Sequence, residues 1–194
     1  ADGDTVDLSN LQRQILHTEA RIGEAKTQSA QQALAITNPD CIVRALPRLE
    51  GQALLNAVAD ADVVLDCSDN FATRYALNRA CLALKKPLVS GAAIKLTGQL
   101  FVMDPRQAHI PSPCYACLYP EEGHDEELRC ATTGILAPVT GVIGAMQAVE
   151  AIKLIAGFGQ AATGLLQRYD ALTGRWSIAN AIQDSGCPAC HGHD

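Results

Sequence analysis

Apolar and polar positions follow two rhythms along this chain, and the change from one to the other falls near its middle. Residues 23–37 have helical composition, and Asn38-Pro39 ends the run because the residue before a proline avoids the helical region. Residues 42–46 are rich in β-formers and predict a strand, with a helix following near 52–59. The apolar run 61–66 predicts a buried strand of the Val-Val-Leu kind over 62–66, and a helix over 71–84 starts from Asn70, a favoured N-cap. Residues 87–90 predict the next strand. This β-α-β-α order predicts an α/β fold, a Rossmann-like, mainly parallel sheet with helices on both faces.

Beyond residue 93 the rhythm changes. Residues 94–103 carry an internal Gly98 and read as a strand pair or a bulged strand, while 165–169 and 175–179 flank Thr173-Gly174 as a hairpin. The sheet is therefore expected to continue into antiparallel strands. Residues 111–133 form a loop-rich stretch with the acids Glu121, Glu122, Asp125, Glu126 and Glu127, expected to be mobile or exposed. The longest apolar run, 135–155, is free of charge only as far as Val149. A membrane-spanning helix needs about 20 apolar residues, so this one reads as a buried helix whose Gly141, Gly144, Ala145 and Ala148 suit close packing, a second subunit being one partner that would fit.

With 194 residues, 48% of them hydrophobic and 19% charged, the chain fits one domain of residues 1–194. A net charge of -6 argues against a nucleic-acid partner. Of eight cysteines, four form Cys-x-x-Cys pairs, Cys114 with Cys117 and Cys187 with Cys190. Two such pairs satisfy Zn²⁺ tetrahedrally and predict a structural zinc site, with His191 and His193 as spare donors nearby. Cys41, Cys67, Cys81 and Cys130 are scattered, Cys67 being assigned to packing. With no apolar leader, a reducing cytoplasm is the expected compartment, with no membrane partner.

Two stretches carry candidate chemistry. Leu8-Ser9-Asn10-Leu11-Gln12-Arg13-Gln14 follows Asp2 and Asp4, and supplies Asn10 and Arg13 as donors to phosphate oxygens. Asp66-Cys67-Ser68-Asp69-Asn70 ends a strand, where ligands gather in open α/β sheets, and a carboxylate there can hold Mg²⁺ beside a phosphate. Taken singly, each feature has an ordinary alternative: Asp2 and Asp4 as loop acids, Arg13 and Lys26 as solvated cations, Asp69-Asn70 as a helix cap.

Together with the Gly23-x-x-Lys26 helix start and the paired cysteines, these motifs resemble the ubiquitin-activating-like adenylyltransferases, nearest to the bacterial enzymes that activate sulfur carriers of molybdopterin and thiamine synthesis. The resemblance spans Asp2 to Cys190, and it implies a nucleotide-binding part in 1–92 and a carrier-binding and zinc part in 93–194. It implies that the Gly-Gly carboxylate of a ubiquitin-like β-grasp sulfur-carrier protein attacks the α-phosphate of ATP, giving an acyl-adenylate and pyrophosphate. By matched positions it implies Asp2 for the ribose, Ser9, Asn10 and Arg13, with Leu11 and Gln12 between them, for the phosphates, Lys26 for the triphosphate, and Asp69 for Mg²⁺ with Asn70 beside it. Cys130 matches the place where some relatives carry a relay thiol. The resemblance also implies a homodimer and a separate sulfur donor. Relatives place a strand, a G-x-G-x-x-G turn and a helix upstream, so a truncation of about thirty residues or more at the N-terminus is expected. Two other classes stay open here, an inactive zinc-stapled docking module and a nicotinamide-dependent oxidoreductase; binding of ATP-Mg²⁺ against NAD would separate the latter.

Overall fold

The computed structural model describes residues 1–106, 112–121 and 134–191, and the chain divides into two units, Ala1–Ala53 and Leu54–Asp194. In the N-terminal unit an acidic loop leads into a one-turn 3-10 helix, Leu8–Asn10, then a second, Glu19–Arg21, and the helix α1, Lys26–Thr37. The α1 helix begins three residues later than the composition of 23–37 suggests, because Gly23 takes a positive φ of 91° and breaks the helical path. Residues 42–46 are not a strand. Their carbonyls are taken singly, Val43 O by the Gln31 side chain at 2.6 Å and Leu46 O by the Asp2 N–H at 3.2 Å, with no neighbouring ladder among the described residues.

Helix α2, Gly51–Asp60, runs into the C-terminal unit, followed by β1, Val64–Asp66, α3, Phe71–Ala83, β2, Leu88–Ile94, and β3, Thr97–Met103. A short helix, α4, Tyr115–Leu118, precedes the long α5, Ala137–Ala156, and the hairpin β4, Leu165–Asp170, with β5, Arg175–Asn180. The five strands stand in order β1-β2-β3-β4-β5. Among these described strands β1 and β2 pair in parallel, Leu65 beside Val89, and the three later pairings are antiparallel, so the sheet is mixed. Residues 94–103, expected as a strand pair or a bulged strand, hold instead a turn at Lys95, φ 51°, and the single strand β3, whose partner is the strand expected at 87–90, here running on to Ile94.

Side-chain alternation along β2 and β3 makes two cores, one on each face of the sheet. Leu88, Phe101 and Met103 join Val58, Ala80, Cys81, Cys114 and Cys187 on the α3 face. Val89, Leu100 and Val102 join Met146, Leu154 and Ala162 on the α5 face. Helix α5 seats closely there because Gly91 and Gly98 lack side chains: a Cβ at Gly91 would meet the Gln147 carboxamide, and one at Gly98 would meet Ile143.

By length and composition α5 could cross a bilayer. Yet two polar residues in its apolar run are bonded to neighbours rather than solvated. Gln147 Nε2 donates to Asp66 O at 2.8 Å and Val89 O at 3.0 Å, and Glu150 accepts from Lys153 Nζ and from the Ala162 N–H. Those bonds suit a helix seated on a sheet.

Candidate functional site

In the N-terminal unit, an antiparallel bridge between Thr5 and Ala25 lays the first turn of α1 against the acidic loop. Lys26 Nζ reaches Asp4 Oδ2 at 2.8 Å, and Asp2 Oδ1 accepts the Asp4 N–H at 2.8 Å. Asp2 and Lys26 line one cavity of about 190 Å³, together with Gln14 and His17. Gln14 Oε1 is a buried acceptor with no partner among the described residues. His17 pairs its Nδ1 with the Ser29 hydroxyl at 2.9 Å, and burial, reinforced by nearby Lys26, holds its pKa below the ordinary imidazole value. Gln14 closes the candidate stretch with no role assigned to it there, and His17, a lone polar residue in an irregular stretch, does not stand out in the sequence.

The remaining phosphate candidates build the adjoining turn and do not line that cavity. Asp7 caps it, accepting from the Ser9 N–H at 2.8 Å and the Ser9 hydroxyl at 2.6 Å, while Asn10 Oδ1 accepts the Asp7 N–H at 3.3 Å. The Ser9 bonds hold the Asp7 carboxyl below its usual range. Arg13 lies half-buried over the same turn, its Nη1 donating to Ser9 O at 3.0 Å. Leu11 is half-buried and Gln12 exposed.

The C-terminal unit separates the two acids at the end of β1. Asp66 is 1% exposed and saturated: it accepts from the Ser68 N–H and hydroxyl, from the Ser90 hydroxyl at 2.7 Å, and from Arg74 Nη1 at 3.0 Å. Arg74, 6% exposed, also donates to the carbonyls of Ser68 and Gly91 and to Ser90 Oγ, and lies over the Tyr115 ring. This lattice fixes the loop that carries Asp69. Asp69 itself is exposed, contacted by the Asn70 side-chain amide at 3.4 Å, while Asn70 Oδ1 caps α3 through the Thr73 N–H at 2.8 Å. One carboxylate is locked inside and its neighbour is presented outward. Cys67 turns its thiol toward Gln147 Oε1 at 3.6 Å, and burial raises its pKa.

The four paired cysteines meet. All four sulfurs lie within 4.8 Å of one another, with Cys114 3.7 Å from both Cys117 and Cys187, and Cys117 3.5 Å from Cys190. A tetrahedral zinc with Zn–S near 2.3 Å needs sulfurs about 3.8 Å apart, so the donor set fits that ion. Burial pushes the Cys114 thiol up to about 12, a preference for the neutral form that a dication would reverse. At Cys187 burial works the same way but is outweighed by the backbone N–H groups of Cys190 and Ala189, which lower its pKa. Cys130 and His193 lie outside the described residues, as does most of the acidic stretch.

Strand order and the acid-tipped β1 define a Rossmann-like α/β protein. The ThiF family matches residues 1–189, and the chain belongs to it. It is 47% identical over 193 residues to the sulfur carrier protein ThiS adenylyltransferase of Escherichia coli (strain K12), covering 99% of this chain and 75% of that one. To the molybdopterin-synthase adenylyltransferase of the same strain it is 45% identical over 190 residues, covering 97% and 75%. Among solved structures, E. coli MccB with ATP shares the fold at a TM-score of 0.79 and 21% identity, covering 97% of this chain and 58% of MccB. The chain thus spans three-quarters of the two bacterial enzymes and a little over half of MccB.

Proposed function

We propose that this protein adenylates the C-terminal Gly-Gly carboxylate of a ubiquitin-like sulfur carrier. A carboxylate oxygen attacks the α-phosphorus of ATP, the bond to the β-phosphate oxygen breaks, and pyrophosphate leaves with the electron pair. What carries the reading is 47% identity along nearly the whole chain to an enzyme named for adenylating the carrier ThiS.

The residues divide that task by charge. Asp2, with one oxygen already used on the Asp4 N–H, keeps its second for ribose hydroxyls. Lys26 and Arg13 neutralise phosphate oxygens, Arg13 held ready by Ser9 O, and Ser9, Asn10, Leu11 and Gln12 form the turn that presents it. Asp69 accepts Mg²⁺, with Asn70 holding the loop end. Mg²⁺ bound there would screen the triphosphate and draw charge toward the leaving pyrophosphate. Positioning and charge neutralisation supply the catalysis; no covalent intermediate on the protein is needed for this half-reaction.

Zinc on Cys114, Cys117, Cys187 and Cys190 is structural, since four thiolates leave no open position. A homodimer completes the reading, supported by the exposed strip of Gly141, Gly144, Ala145, Ala148, Ile152 and Ile155 on α5. Carrier-dependent exchange of labelled pyrophosphate into ATP tests the assignment. Exchange with a Gly-Gly-ended carrier and none with a tail-truncated one is expected; no exchange with any carrier of either pathway refutes it.

A further inference from the structure

Asn78, on α3, is 1% exposed, and its carboxamide is oriented by one bond: Oδ1 accepts the Tyr115 N–H at 2.9 Å, at the first residue of α4. That bond aims Nδ2 the other way. Nδ2 is buried and has no hydrogen-bond partner among the described residues, and the bond to the Tyr115 N–H seats the same carboxamide beside Cys114, the residue preceding Tyr115. A buried donor without a partner carries an uncompensated desolvation cost. A neutral thiol is a weak acceptor, whereas a metal-bound thiolate is a strong one, and metal binding removes the thiol proton.

The other sulfurs have their own surroundings. Cys187 receives the backbone N–H groups of Cys190 and Ala189, Cys190 lies 3.8 Å from Gln183 Nε2, and Cys117 is partly open to solvent. Cys114, wholly buried, has beside the Cys117 backbone N–H the amide of Asn78. Four thiolates around one dication leave two net negative charges, so a neutral donor at the most buried sulfur offsets charge where water is excluded.

We propose that Asn78 is an outer-sphere positioning residue of the metal site, donating Nδ2–H to the metal-bound Cys114 thiolate while Oδ1 pins the Cys114–Cys117 turn to α3. The proposal stands apart from the adenylation chemistry and is tested without it.

Full-length, ¹⁵N-labelled protein loaded with ¹¹³Cd²⁺ gives the direct measurement. The Asn78 side-chain proton is expected to move downfield on loading and to show scalar coupling to the cadmium nucleus through the hydrogen bond. An Asn78 amide unshifted and uncoupled in the loaded protein overturns the proposal. As a second arm, Asn78→Asp keeps an acceptor for the Tyr115 N–H but replaces the donor with a carboxylate. Competition with a chromophoric chelator should show zinc affinity lowered about 10- to 100-fold. Affinity equal to wild type in a folded N78D protein refutes the donor role; should N78D fail to fold, the cadmium coupling in the unmodified chain decides.

Discussion

Arg74 and Asp66 form an ion pair of 3.0 Å with both side chains almost completely out of solvent, and the same guanidinium holds the carbonyls of Ser68 and Gly91. Helix α3 is thereby bolted to the end of β1 and to β2, and the loop bearing Asp69 has little freedom. Removing one member of a buried pair strands the other charge. Arg74→Met should therefore cost about 3–5 kcal/mol in urea unfolding, whereas replacing an exposed cation such as Arg48 should cost under about 1 kcal/mol. An unchanged midpoint for Arg74→Met would refute the bolt.

Asp69 should show the opposite profile. It is exposed, and among the described residues its hydrogen bond is the one from the Asn70 amide, so Asp69→Ala should leave stability within about 0.5 kcal/mol of the parent. Pyrophosphate exchange should nonetheless fall by about 100-fold or more, because the proposed Mg²⁺ ligand is gone. Full exchange activity in the variant would remove Asp69 from the site.

The seat of α5 offers a steric test. A methyl at Gly91 must displace the Gln147 carboxamide, breaking its bonds to Asp66 O and Val89 O. Gly91→Ala should cost about 1–3 kcal/mol in unfolding free energy, although alanine ordinarily favours folding over glycine. A stabilised variant would contradict the packing described.

His17 sets a pH dependence whose sign can be worked out. Its folded-state pKa lies below the unfolded value near 6.5, so the unfolded chain takes up a proton first as pH falls. The stabilisation from neutral His17 is fully present above about 6.5 and is lost as pH drops through the unfolded pKa toward the folded one. In a His17→Gln protein that part of the stability–pH curve should flatten, and superimposable curves for the two proteins would exclude the role.

Local signals were legible wherever a few residues suffice to create them. Asn70 before Phe71 marks a cap whatever surrounds it, Thr173-Gly174 marks a hairpin, and two Cys-x-x-Cys pairs announce a common site 73 residues apart in sequence. The strand expected over 42–46 failed because β-formers make a ladder only when another strand stands alongside, which composition cannot report. Distinguishing Asp66 from Asp69 likewise depended on Arg74, Ser90 and Gln147, drawn together from three different elements. One clue was in plain sight. Gln147 and Glu150 interrupt an apolar run, and such polar residues mark either a solvated face or a buried bond; here they are bonds.

The sulfurs of Cys117 and Cys190 sit 3.5 Å apart, and a covalent bridge between them would need a separation of about 2.05 Å. A shift of about 1.5 Å would bring them to bonding distance, so that oxygen, as the oxidant in a metal-stripped sample, could link the Cys187–Cys190 turn to α4. Handling the protein with a chelator but without a reductant would then trap an artificial staple, and later additions of zinc would find two of their four anchors already consumed.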